Sequence, residues 1–151
     1  MIDLRKRTRV AVIGGSRADR EALAQAAEVG RLLAAGGAVL VCGGLGGVME
    51  AAARGARDAG GLTVGILPGA DPAAANPSID LPIATGLGYA RNSLVVLNAD
   101  AVIAVDGEYG TLSEIAYALI YGKRVVGLGT WEIGGVTPAR DPAEAVRLAL
   151  G

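Results

Sequence analysis

The chain has 151 residues, 52% hydrophobic and 19% charged, with a formal net charge of -1, 24 glycines, no histidine and one cysteine. That length suits one domain able to bury roughly two thirds of its unfolded surface, and the near-neutral charge argues against a nucleic-acid or membrane-surface partner. Without histidine, and with Cys42 alone, a Ser-His-Asp triad, a Cys-His dyad, an internal disulfide and an ordinary zinc site are excluded; no metal is expected, and acid–base chemistry falls to carboxylates, tyrosine or lysine.

Residues 1–8 read as a basic lead-in to a single domain over 9–151. The Arg5-Lys6-Arg7-Thr8-Arg9 cluster lacks interleaved aromatics, so a solvated stretch is expected rather than a nucleic-acid site. Met1–Arg9 lacks the apolar core of a secretion signal, and no apolar run approaches the ~20 residues of a membrane span. Together with a lone thiol, these features predict a cytoplasmic protein.

Val10–Ile13 is an apolar run suited to an inner parallel strand, ending in Gly14-Gly15-Ser16-Arg17. That turn can bind an anion through backbone N–H groups and Arg17, or be a plain strand-to-helix connection. Asp19 caps a helix over Arg20–Ala35, with Leu23, Ala27, Val29, Leu32 and Leu33 as its apolar stripe and Gly36-Gly37 as its stop. Ala38–Cys42 is the second strand. Gly43-Gly44-Leu45-Gly46-Gly47-Val48-Met49-Glu50 follows it and opens a helix over Val48–Ala59. Four glycines in five positions cost backbone entropy, which close approach to a ligand would offset. A dinucleotide fingerprint is excluded, because no well-placed acidic residue ends the next strand.

Leu62–Leu67 is the third strand, and Ala70–Asp80 is an aperiodic surface loop that could cover a pocket. Leu81–Thr85 reads as an edge strand because of Pro82. A helix over Tyr89–Leu97 carries Arg91, and Ala101–Val105 is the strand that delivers the chain to Asp106-Gly107-Glu108-Tyr109-Gly110-Thr111-Leu112-Ser113-Glu114. Here strand, glycine turn and helix start follow one another, the arrangement in which parallel sheets bind phosphates and carboxylates. Thr111 and Glu114 have two readings: a capping box, or a phosphate donor and a carboxylate aimed at a sugar or base. The helix over Leu112–Tyr121 is apolar round most of its circumference, which predicts cover by another copy in a homodimer or homotetramer. Val125–Leu128 is the last strand, Gly129–Pro138 a loop whose Trp131 lids the core or stacks on a base, and Pro142–Leu150 a final helix capped by Asp141. The alternation predicts an α/β, Rossmann-like, doubly wound and mainly parallel sheet with helices on both faces.

Gly-Gly-x-Gly-Gly-Val-Met-Glu, then an arginine on the intervening helix, then Gly-Glu-Tyr-Gly-Thr-x-x-Glu after a strand, resembles the LOG-type proteins of the SLOG superfamily over nearly the whole chain. These comprise cytokinin-activating nucleoside 5'-monophosphate phosphoribohydrolases, relatives once labelled lysine decarboxylases, and molybdenum-cofactor carrier proteins. The decarboxylase label has little support, since Lys6 and Lys123 lie on neither glycine loop and a pyridoxal enzyme needs a Schiff-base lysine. The hydrolase motif has a proline and a second glycine where this chain has Asp106 and Glu108, and a lysine where it has Asn92. The resemblance therefore leans to the carrier branch.

The resemblance implies a phosphorylated nucleotide, a phosphate or a molybdopterin-type ligand, with no other cofactor required. Gly14, Gly15, Ser16, Arg17, Gly43, Gly44, Gly46, Gly47, Met49, Glu50, Gly107, Glu108, Gly110 and Thr111 would bind it. In the hydrolase alternative, Glu114 would act on the N-glycosidic bond, and Arg91 would hold it as a carboxylate. A third reading makes the protein an oligomeric scaffold whose glycines serve packing alone.

Overall fold

The computed structural model describes residues 3–151, so Met1 and Ile2 of the lead-in lie outside the described residues. Among the described residues, strands β1 (Arg9–Gly14), β2 (Val39–Cys42), β3 (Thr63–Leu67), β4 (Leu81–Ala84), β5 (Ala101–Val105), β6 (Arg124–Leu128) and β7 (Val136–Pro138) form one sheet in the order β4-β3-β2-β1-β5-β6-β7. Every pairing is parallel. The chain winds outward from β1 to β4, returns to pair β5 with the other side of β1, and winds outward again. This is the doubly wound α/β arrangement, with its switch point between β1 and β5.

Helices α1 (Arg20–Ala35), α2 (Val48–Asp58) and α5 (Pro142–Leu150) cover one face; α3 (Asn92–Leu97) and α4 (Tyr109–Ile120) cover the other. Val10, Val12, Leu40, Ile103 and Val105 meet the first layer, while Ala11, Ile13, Val41, Val102 and Ala104 meet the second. Successive strand residues point to opposite faces. Burial on both faces is thus what makes the central strands apolar throughout.

Asp19 caps α1, its carboxylate accepting from the Ala22 N–H at 2.8 Å. The face α1 buries keeps Val29 and Leu33 of the expected stripe and is otherwise set one position back. Ala22, Ala26, Val29 and Leu33 are buried, whereas Leu23, Ala27 and Leu32 are only partly so. The cause is a close crossing with α2: a Cβ at Gly30 would strike the Ala52 carbonyl, and one at Gly55 the Ala27 carbonyl. Small residues therefore hold the seam, and the leucines flank it.

Three other expectations change. Tyr89–Leu97 divides into a 3-10 turn over Gly88–Arg91 followed by α3. The Gly129–Pro138 loop ends in β7, where Val136 pairs with Val125 and Pro138 with Gly127. Three residues are too few to show a strand period, and Pro138 is tolerated because β7 is an edge. The Ala70–Asp80 segment does not cover the cleft described below. Asn76 instead donates its side-chain amide to the Leu45 carbonyl at 2.8 Å, clasping the bend after β2 from outside.

The lead-in makes a 3-10 turn over Leu4–Lys6, and Arg7 Nε donates to the Gly37 carbonyl at 2.8 Å. On the α3/α4 side, β2 to β4 carry no helix among the described residues and leave an apolar groove of about 280 Å3 lined by Val39, Val41, Val64, Ile66, Leu81 and Ile83. No helix among the described residues is long and apolar enough to cross a membrane.

Candidate functional site

At the carboxyl ends of β1, β2 and β5 a cleft of about 690 Å3 opens beside the switch point, within the usual size of small-molecule sites. Three bends meet there. Val48 N donates to the Gly15 carbonyl at 3.0 Å, tying the bend after β2 to the bend after β1. Asp106 N donates to the Leu128 carbonyl at 3.0 Å, anchoring the bend after β5 to β6.

Of the residues singled out by sequence, Gly14, Gly15, Ser16, Arg17, Gly43 and Met49 line the cleft, as do Arg91, Glu108, Gly110, Thr111 and Glu114. Gly44, Gly46, Gly47, Glu50 and Gly107 do not. Three of these glycines face the protein's own atoms. A Cβ at Gly44 would come within 2.7 Å of Leu67 Cδ2, one at Gly47 would strike the Gly15 and Ser16 backbone, and one at Gly107 would strike the Thr111 side chain. Gly47 also has φ 66° and ψ -129°, a conformation essentially reserved for glycine. Close approach thus explains these glycines, but it is approach to the protein's own atoms: another bend for Gly47, β3 for Gly44 and the same bend for Gly107.

Arg91 is not the surface arginine that its position near a helix start permits; it is only 7% exposed. Its Nε donates to the Ile66 carbonyl at 2.9 Å, one Nη to the Gly43 carbonyl at 3.3 Å, and the other to Asn92 Oδ1. Asn92 Nδ2 continues to Ser113 Oγ at 3.1 Å, and Ser113 Oγ donates to the Gly110 carbonyl at 2.6 Å. Asn92, standing where the hydrolases have lysine, is therefore a link between α3 and the start of α4.

Glu114 is also 7% exposed and lines the cleft. Burial pushes its pKa up to about 8, with the Arg91 charge pulling the other way. Desolvation wins because Arg91 is occupied by carbonyls. Among the described residues Arg91 forms no ion pair with Glu114, although its charge still favours the carboxylate against the opposing effect of burial.

The capping-box reading also fails. Helix α4 begins at Tyr109, two residues before Thr111, with Glu108 as an N-cap whose side chain makes no cap bond. Thr111 and Glu114 both lie inside the helix and are buried. The first intrahelical bond runs from Leu112 N to the Glu108 carbonyl at 2.9 Å. Gly110 and Thr111, whose N–H groups precede it and have no intrahelical partner, line the cleft. Beneath the bend after β2, Cys42 is fully buried and its thiol is pushed up to about 12, which leaves it unreactive.

Sequence reasoning passed over Ile13, Leu45, Tyr89, Asn92, Tyr109 and Ser113 as cleft residues. For the tyrosines a signal existed, since the chain has only four, and Tyr89 and Tyr109 each adjoin a glycine turn. Trp131 neither lids the core nor lines the cleft. It stacks on Tyr109 with ring centroids 6.1 Å apart, and its Nε1 donates to the Glu108 carbonyl at 3.2 Å. Neither Lys6 nor Lys123 lines the cleft.

Comparison with known proteins gives a consistent picture. The profile of the SLOG cluster4 family matches residues 7–147. An uncharacterised protein of Archaeoglobus fulgidus is 47% identical over 146 residues, 96% of each chain. The molybdenum cofactor binding protein of Rippkaea orientalis superposes with a TM-score of 0.90 at 37% identity, covering 95% of both chains. The molybdenum cofactor carrier protein of Chlamydomonas reinhardtii does so with a TM-score of 0.83 at 35% identity, covering 94% of this chain and 95% of that one.

Proposed function

The chain belongs to the SLOG cluster4 family, and from that premise we propose that it binds a phosphorylated small molecule of pterin or nucleotide type in the cleft, as a carrier of molybdenum-cofactor-like cargo. The observation that carries this reading is the convergence of Gly14–Arg17, Gly43 and the start of α4 on one cleft, with Ser16 and Arg17 at its wall to meet an anion.

The residues present fit such a ligand in a particular orientation. Glu108 at the α4 N-cap would repel a phosphate within about 4–6 Å, so the phosphate belongs toward Ser16 and Arg17. Glu108 and Glu114 then meet the uncharged, hydrogen-bonding part of the ligand. Titration calorimetry with a pterin monophosphate and with AMP tests the reading. Binding weakened by Arg17→Ala supports it, and an absence of heat from either ligand ends it.

The enzymatic alternative, hydrolysis of a nucleoside 5'-monophosphate to base and ribose 5-phosphate, has one observation in its favour: Glu114 and Arg91 are both buried at the same cleft. Stabilising an oxocarbenium-like sugar requires the carboxylate. Any release of ribose 5-phosphate from AMP should therefore rise with pH through about 8 and vanish in Glu114→Gln.

Assembly into a homo-oligomer belongs to the same proposal. Ile120 of α4 is 74% exposed beside the stacked pair Tyr117 and Tyr121, and such a patch is costly in a free monomer. Sedimentation of wild type against Ile120→Glu checks it, a shift toward monomer being the expected result. We place the protein in the cytoplasm.

A further inference from the structure

The aromatic residues of this chain are distributed in an unusual way. It has four tyrosines, one tryptophan and no phenylalanine, and none of these five is buried; the core consists of aliphatic residues, alanine, methionine and cysteine. Large rings ordinarily supply core packing. Here two of them, Tyr89 and Tyr109, line the cleft while remaining 86% and 79% exposed, and Trp131 backs the second.

Tyr109 is held in place. Trp131 stacks on it at an interplanar angle of 28°, and the indole N–H is fastened to the Glu108 carbonyl, one residue before Tyr109. Thr130 Oγ1 donates to the Asp106 carbonyl at 2.7 Å, so two successive residues of the β6–β7 connection brace the bend that carries the tyrosine. Tyr89 comes from a different element, the 3-10 turn before α3, and reaches the same cleft. Two exposed rings from two elements, one of them braced, leave apolar faces that a flat ligand would cover.

We propose that Tyr89 and Tyr109 are ring-stacking walls that select ligands with a planar heteroaromatic ring, held at the cleft mouth while the anionic end lies toward Ser16 and Arg17. Trp131 is a positioning residue that keeps the Tyr109 ring available. This inference rests on the cleft being the binding site proposed above and adds which part of the ligand is read and by what. Stacking tolerates many rings, because each has a π-face. Discrimination is therefore between ring and no ring, with Glu108 and Glu114, which line the same cleft, left to choose among rings.

The test compares three probes on the full chain by titration calorimetry: a pterin monophosphate, AMP, and ribose 5-phosphate as the ring-free control. The two ring-bearing probes should bind at least about fivefold more tightly than ribose 5-phosphate, and Tyr89→Ala and Tyr109→Ala should each remove most of that preference. Tyr109→Phe should retain it. Trp131→Ala should weaken the ring-bearing probes and leave ribose 5-phosphate unchanged. Both tyrosines are exposed, so thermal melts of the variants should match wild type.

Equal affinity for all three probes, or a ring preference that survives both alanine variants, overturns the stacking inference while leaving the cleft as an anion site. A change of oligomeric state in the alanine variants without loss of ring preference assigns the tyrosines to a subunit contact and likewise overturns it. Failure of all three probes to bind wild type removes the proposed site itself.

Discussion

The bend after β2 and the bend after β5 are both glycine-rich, but they use glycine differently. In the first, Gly44 and Gly47 lie against Leu67 and against the Gly15–Ser16 backbone, and Gly43 presses on Arg91 and Met49, each 2.8 Å from where its Cβ would be. In the second, Gly107 packs on Thr111, but Gly110 has only Asn92 Nδ2 near it, at 3.8 Å, and the neighbouring side chains Glu108, Tyr109, Thr111 and Glu114 all face the cleft. The glycines of one bend mainly pack against the protein's own atoms; the other bend leaves Gly110 open at the cleft. A run of glycines reports that something comes close, and only the fold says whether that something is the protein.

The sharpest way to break this contrast is Gly47→Ala. It combines a conformation that non-glycine residues rarely hold with a collision against backbone, which should cost roughly 3–5 kcal/mol and lower Tm by about 10 °C or more. An unchanged melting temperature would show that this packing is looser than described. Arg91→Leu should come next. The carbonyls of Ile66 and Gly43 and the Asn92 amide oxygen would all lose their donor, at about 2–4 kcal/mol. Because Arg91 and Asn92 connect the two bends, hydrogen exchange at Gly110 and Thr111 should also quicken, which checks the linkage separately from stability.

The third prediction concerns pH. Glu114 binds its proton more tightly folded than unfolded. Between the ordinary carboxylate range and about 8 the folded state therefore holds the extra proton, and stability falls as pH rises across that window, levelling off above it. Glu114→Gln removes this dependence. Chemical denaturation at pH 5 and pH 9 should show the wild type losing a few kcal/mol relative to the variant, on the order set by the shift. Parallel curves would mean that the carboxyl is better solvated than its burial implies. The smallest effect is expected for Gly110→Ala. Alanine is the better helix former, and the first turn of α4 has room, so stability should change by about 0–1 kcal/mol in the favourable direction. If the bend after β5 touches the ligand, that same variant should weaken binding of AMP or a pterin monophosphate.

Much of the fold was legible in sequence because its signals are local. Val10–Ile13, Ala38–Cys42 and Ala101–Val105 are apolar runs with glycine at their ends or beyond, and Asp19 and Asp141 announce their helices through caps that the structure contains. β7 was not legible, because three residues at an edge become a strand only by pairing with β6. The start of α4 was misplaced because Thr-x-x-Glu satisfies the capping pattern, although burial of both side chains removes them from that task.

Sequence alone determined the alternation of strands and helices, the position of glycine turns at strand ends, and the exclusion of histidine, disulfide and zinc chemistry, since each depends on residue type and spacing within a few positions. Tertiary structure decided which glycines face the cleft, that Arg91 is held by carbonyls from β3 and the β2 bend, and that Glu114 is buried where desolvation raises its pKa. Those outcomes depend on what is brought across the sheet to lie beside each group. Burial and partners, unlike propensity, are set by residues far away in the chain.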